Sequence, residues 1–203
     1  MAWLPITALL AFTLVEAVQF LVRSVLLVEL LLSDQSWLVQ PHPMWLVAEQ
    51  LLGLAGMGFF LLSALLWLIW EVMAYSSMTR IEGASWSSSP ALVAGWWFVP
   101  GLHLVRPIRL MQELWRNAVE ESERPSDESP RLLRVWWRLW GLTQGLWLLA
   151  WLLTEEPGTI RVDAAADWLF SAVSALAALA AAAVVLSVDR RLKRYSMVQV
   201  LPP

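Results

Sequence analysis

The stretch Leu92–Trp115, LVAGWWFVPGLHLVRPIRLMQELW, begins as an apolar run, breaks at Pro100 and Gly101, and ends in a basic helical pattern. SSSP at residues 87–90 is a helix-start signal, with Ser89 as the cap and Pro90 at the first helical position. From Pro90 the chain stays apolar or small only as far as Phe98. Ten helical residues reach about 15 Å, half of a hydrocarbon core of about 30 Å. This arm can dip into a bilayer or lie along its surface, but it cannot cross.

After the break, Pro107 begins a second predicted helix in which Arg106, Arg109, Glu113 and Arg116 recur three, four and three residues apart. Ile108, Met111, Trp115 and Ala118 take another face at the same spacing. A helix that is basic on one side and apolar on the other belongs at a headgroup boundary. Pairing of Arg109 and Glu113 within it adds only a few tenths of a kcal/mol. EESERPSDESP, residues 120–130, is acidic and proline-containing and reads as a solvated loop. Residues 89–119 are therefore expected to form an interfacial or re-entrant amphipathic segment, with Trp96, Trp97, Arg106, Arg109, Trp115 and Arg116 contacting lipid or a partner.

Outward from this segment, two long apolar stretches lie on each side. With 59% hydrophobic and only 15% charged residues, the chain departs far from a soluble composition. Spans are expected at about 8–32, 45–70, 132–153 and 168–188, each near the length that a crossing helix needs. The reading is all-α: a single membrane domain over residues 1–203, built as an integral four-helix bundle. The N-terminal stretch has no basic start and carries Glu16, so it is read as a retained span rather than a signal peptide.

The first span contains Thr13, Glu16, Gln19 and Arg23, three, three and four apart and so on one helical face. Charged groups at that depth are costly and face the bundle interior or water. Glu49 and Gln50 lie about a turn inside the second span. The intramembrane polar set is thus Glu16, Gln19, Arg23 and Glu49, read either as a polar seam that fixes packing or as a proton or ion path. Gly53 and Gly56 in the second span, and Gly141 and Gly145 in the third, lack side-chain bulk and are expected to let helices approach closely.

Charge distribution gives orientation. Twelve of the fourteen basic residues fall in the middle connection, at the start of the third span or near the C-terminus. The positive-inside bias assigns those regions and both termini to the cytoplasm.

The run GWWFVPGLHLVRPIRLMQELWR, residues 95–116, resembles a bacterial membrane-protein family known as domain of unknown function number 4328. Its members carry a glycine and paired tryptophans, Phe-x-Pro, a short apolar stretch, a basic residue before proline, and a helix closing on Leu-Trp-Arg. Gly95, Trp96, Trp97, Phe98, Pro100, Arg106, Pro107, Leu114, Trp115 and Arg116 match. The resemblance implies a multi-pass bacterial membrane protein and supplies no activity; the expected location is the bacterial cytoplasmic membrane.

The chemistry sought is absent from the sequence. There is no cysteine, which removes disulfides, thiolate metal sites and cysteine nucleophiles. His42 and His103 are predicted on opposite sides of the bilayer and cannot share a metal. No Walker, Rossmann, HExxH or GxSxG pattern occurs. No cofactor is expected, and a membrane enzyme using Glu71 or Glu113 has no supporting motif. Arginine beside apolar interface surface binds anionic lipid headgroups more simply than nucleic acid, so nucleic acid is not an expected partner. The sequence thus points to a non-catalytic packing, docking or lipid-sensing component of a membrane assembly, as a homo-oligomer or with another membrane protein. The alternative is a small channel, transporter or membrane-disrupting effector using the polar path.

Overall fold

A computed structural model of the chain describes residues 2–32, 43–78, 88–117, 131–153 and 160–200. All regular structure among them is helical: α1 (Trp3–Leu32), α2 (Pro43–Met78), α3 (Pro90–Gly95), α4 (Arg106–Asn117), α5 (Arg131–Leu153) and α6 (Ile160–Val200), with one 3-10 turn at Leu102–Leu104. The all-helical class is as expected. The outer connections, His42, Ala118 and the acidic loop lie outside the described residues.

Three helices are long and apolar enough to cross a membrane, over Trp3–Val28, Val47–Met78 and Ala165–Lys193. At 23 residues, α5 reaches about 34 Å and has the length. It falls short in apolarity because Arg131, Arg134 and Arg138 occupy its first two turns and Thr143 and Gln144 its centre.

Several helices outrun the expected span limits. α2 continues to Met78, so Glu71 and Tyr75, expected beyond the span, lie within the helix. α6 starts at Ile160 and carries DRRLKRY as further helix. Hydropathy marks where a helix leaves an apolar environment, whereas backbone hydrogen bonding continues while no Pro or Gly interrupts it. Pro5 does not delay α1, because a first-turn residue needs no intrahelical N–H.

α1 runs antiparallel to α2, with Gln19 against Leu52 at one level and Phe12 against Phe60 further on, ring centroids 5.9 Å apart. α6 packs along both α1 and α5. Phe20 meets Trp168 at 4.9 Å, so α6 also runs opposite to α1.

The densest core lies where α2 and α6 end and α1 and α5 begin. Trp67, Trp70, Leu133 and Trp136 pack there with Val184, Val185 and Val188. Trp67 and Trp136 approach to 4.9 Å, and Trp137 stacks on Trp140 at 4.6 Å. The outward side of α2 instead leaves Leu51, Leu54, Met57, Phe60, Leu61 and Leu65 at least half exposed. An apolar face of that extent is what lipid or another membrane protein covers.

Candidate functional site

The segment between α2 and α5 closes this densely packed end. Ser89 caps α3 with extended backbone and no side-chain hydrogen bond, and Pro90 occupies the first helical position. α3 stops at Gly95, sooner than the apolar run through Phe98 predicts. Gly101 then takes φ 78°, the one positive φ among the described residues. A side chain at that position would meet backbone strain rather than crowding, since nothing lies within 4 Å of its would-be Cβ. The reversal turns the chain into the 3-10 turn and then α4.

α4 buries Pro107, Leu110, Met111 and Leu114. This is the i, i+3, i+4, i+7 stripe of a helix lying on a core. The expected face of Ile108, Met111 and Trp115 is therefore corrected by about one residue: Ile108 and Trp115 flank the stripe and are only partly buried. Arg109 and Arg116 are exposed on the other side. With Arg106, Gln112, Glu113 and Asn117 they line an open groove of about 440 Å³.

The tryptophans of the segment turn inward. The Trp97 indole N–H donates to Glu71 Oε2 at 2.8 Å, and Glu71 is fully buried. Glu71 Oε1 and Trp67 Nε1 are both buried without a partner in hydrogen-bond geometry, although the Trp67 indole lies close enough to act on the same carboxyl. One turn further along α2, the Tyr75 hydroxyl donates to Glu113 of α4 at 3.4 Å and accepts from the Ser88 backbone N–H at 3.2 Å. Trp96 donates to Ser88 Oγ at 3.3 Å and lies 5.0 Å beneath the Arg106 guanidinium. Trp115 lies 3.7 Å beneath Arg191 of α6, a cation–π contact that ties α4 to the last helix. Of the residues assigned to lipid or partner contact, Arg109 and Arg116 thus face outward, Trp97 and Trp115 tie the segment to α2 and α6, and Trp96 and Arg106 contact one another within it, Arg106 also lining the groove.

Before the basic face, Leu92, Phe98, Val99, Leu102, Leu104 and Val105 are all exposed, Phe98 most of all at 75%. The 3-10 turn contributes no buried residue. An exposed apolar tip therefore runs directly into the arginine-lined groove.

Towards the opposite end of the bundle, the structure brings together the four polar residues expected within the membrane. Arg23 Nε stands 3.6 Å from Glu49 Oε1. Arg23 Nη1 donates to Ser171 Oγ at 2.5 Å and to the Asp167 carbonyl at 3.0 Å. Ser171 also hydrogen-bonds Glu16, whose carboxyl lies within reach of the Arg23 charge. Gln19 Nε2 donates to the Leu52 carbonyl at 2.7 Å, and Trp168 donates to Ser24 at 2.8 Å.

Of the glycines expected to mediate helix packing, only Gly56 sits at a close approach. A Cβ there would stand 2.8 Å from Gln19 Nε2 and 3.7 Å from Glu16 Oε1. At Gly53, Gly141 and Gly145 a Cβ would meet nothing within 4 Å, so among the described residues no neighbour closes on these three. α5 uses Leu133, Trp136 and Thr143 as its buried positions instead.

Sequence reasoning missed Ser171 and Asp167 as partners of Arg23, because Asp167 ended a predicted turn and Ser171 opened an alanine and serine run read only as a close-packing helix. It also missed Glu71 and Tyr75 as anchors. Their spacing of four after Trp67 was the available signal, since residues four apart share one helical face.

No curated protein and no solved structure matches this chain. The family model described as Domain of unknown function (DUF4328) matches residues 45–194, from α2 through the interfacial segment and α5 into α6. The chain belongs to the family described as Domain of unknown function (DUF4328).

Proposed function

We propose that the protein is a non-catalytic component of the bacterial cytoplasmic membrane, with four spans at about 8–32, 45–70, 132–153 and 168–188 and both termini cytoplasmic. The interfacial segment 89–119 then docks on the cytoplasmic leaflet and binds anionic headgroups. The observation that carries this reading is the continuity of the exposed apolar tip, Phe98 to Val105, with the groove lined by Arg106, Arg109 and Arg116. Apolar burial and basic residues at the headgroup level reinforce one another, each basic residue adding about 1 kcal/mol near an anionic surface. A fourth span through α5 is supported by its length and by its packing along α6. The arginines at its start can snorkel towards the headgroups.

The test is thermal stability of the purified protein in neutral detergent, titrated with phosphatidylglycerol or with phosphatidylcholine. The anionic lipid is expected to raise the melting temperature more than the zwitterionic one, and Arg109→Gln with Arg116→Gln to remove the difference. Equal response to both lipids overturns the reading. The apolar face of α2 supports assembly as a homo-oligomer or with another membrane protein. In-membrane cross-linking that yields only monomer removes that part.

A second reading, a small channel or transporter, is favoured by the convergence of Glu16, Arg23 and Glu49 between helices. Liposome flux unchanged by Glu16→Ala and Arg23→Ala eliminates it.

A further inference from the structure

Two carboxyl groups share one guanidinium where α1, α2 and α6 meet. Arg23 pairs with Glu49 at 3.6 Å and is held from α6 by Ser171 and the Asp167 carbonyl. Glu16 reaches the same Ser171 hydroxyl. It is only 4% exposed, and its Oε2 is buried without a hydrogen-bond partner.

Arg23 is the only basic residue in α1 or α2, and between Ala165 and Val188 the only charged residue of α6 is Asp167, which is exposed at the mouth. With Glu16 and Glu49 both ionised, the two acids exceed by one the positive charge of the described side chains at this end of the bundle. Inside helices apolar enough to cross a membrane, an uncompensated charge is strongly disfavoured. The cluster is neutral only when it holds one additional cation. No group of three or more His, Cys, Asp or Glu side chains able to hold a metal occurs among the described residues. A carboxyl oxygen without a partner is a site that a single proton fits, because the protonated acid needs no further charged ligand.

Exposure is graded along the cluster. The Glu49 side chain is 39% exposed and that of Arg23 16%, while Ser171 is fully buried. Polar groups thus lead from the surface to Glu16 on one side of the bundle, the side on which α1 ends and α2 begins. Gly56 makes room beside the site, since a Cβ there would press on Gln19 at 2.8 Å and come into ordinary contact with Glu16 at 3.7 Å.

We propose that Glu16 is a proton-binding site that exchanges its proton with the membrane face at which α1 ends, on the side of the bundle where Glu49 and Arg23 are exposed. The site is remote from the arginine groove, and its test does not depend on lipid recognition. The full-length protein in lipid nanodiscs is treated with dicyclohexylcarbodiimide across a pH series, and adducts are mapped by mass spectrometry. The reagent requires a protonated carboxyl: the acid proton moves to a carbodiimide nitrogen as the carboxyl oxygen bonds to the central carbon, and rearrangement leaves a stable acylurea. Glu16 is expected to carry the adduct and Glu49 not. Labelling is expected to fall about tenfold per pH unit once the midpoint is passed, with no protection by sodium ions. Arg23→Gln, which leaves two acids without a guanidinium, is expected to bring Glu49 into the labelled set. Absence of adduct at Glu16 at every pH overturns the proposal. So does protection by sodium, which would make a metal ion the occupant, and so does an unchanged labelling pattern in Arg23→Gln.

Discussion

Trp97 of the interfacial segment donates its indole N–H to the fully buried Glu71 of α2 at 2.8 Å. The pair fixes the tip of the segment against a long helix, and the edge-on contacts of Trp97 with Trp137 and Trp140 complete the clamp. Trp97→Phe keeps most of the ring and removes the donor. A buried acceptor left without its partner costs about 1–3 kcal/mol. Trp97→Phe is therefore expected to lower the melting temperature in detergent, and Glu71→Gln, which retains a carbonyl acceptor, to lower it less. Equal melting temperatures for wild type and Trp97→Phe would show that the bond does not hold the segment.

Gly56 and Gly145 make a controlled comparison. Both are helical glycines facing other spans or lipid, yet only Gly56 has a neighbour, Gln19 Nε2, within 3 Å of a would-be Cβ. In Gly56→Ala the Gln19 amide must shift and weaken its bond to the Leu52 carbonyl, a loss of about 0.5–1.5 kcal/mol. Gly145→Ala gains helix propensity instead, by about 0.5–1 kcal/mol. Opposite signs are expected in thermal melts of the monomeric protein. A destabilising Gly145→Ala that acts only on a cross-linked oligomer would identify that glycine as a contact between copies.

What was legible in the sequence follows from the kind of physics involved. Apolar runs near twenty residues long announce membrane helices because length and hydrocarbon thickness must match, and Pro100 with Gly101 announces a chain reversal because glycine alone adopts φ 78° there without strain. The polar face of Glu16, Gln19 and Arg23 was legible for the same reason, since helical period alone sets it. The face of α4 was not. Pro107, Ile108, Leu110, Met111, Leu114 and Trp115 cover almost half of its circumference, so two apolar stripes one residue apart were available, and only the surface offered by α2, α5 and α6 selects between them. The direction of Trp96 and Trp97 was hidden likewise. An indole is apolar in body and polar at one edge, and it suits a headgroup region as well as a buried carboxyl. Gly141 and Gly145 show the opposite failure, a spacing that occurs without a contact behind it.

The exposed tip predicts a depth. Phe98, Leu102 and Leu104 are exposed, Phe98 the most, and, on the proposed reading, sit below the headgroups while Arg109 stays among them. Since the chain has no cysteine, Leu102→Cys and Arg109→Cys can each carry a single fluorophore without other changes. Lipids bearing a quencher high on the acyl chain are expected to quench the label at residue 102 more strongly than that at residue 109. Replacement of the tip residue in Phe98→Asp, which places a charge at that depth, is expected to reduce the quenching at residue 102. Equal quenching at the two positions would place the tip in water.

The path of α5 decides whether the bundle has four spans. Three arginines open this helix and five tryptophans run along it, so composition alone ranks it below α1, α2 and α6. Geometry argues for a crossing, because α5 packs along α6 and its first turns share the core of Trp67 and Val188. The cysteine-free background again allows a direct measurement. Arg131→Cys and Leu152→Cys, at opposite ends of α5, are probed in cells with a membrane-impermeant maleimide before and after permeabilisation. A crossing helix leaves position 152 labelled in intact cells and position 131 labelled only after permeabilisation, the order that a cytoplasmic interfacial segment requires. Protection of both positions until permeabilisation would put α5 on the cytoplasmic surface. α6 would then have to begin on the side at which it is required to end, and the antiparallel packing of α6 against α1, seen in the Arg23 contacts to Asp167 and Ser171, could not coexist with a crossing by both.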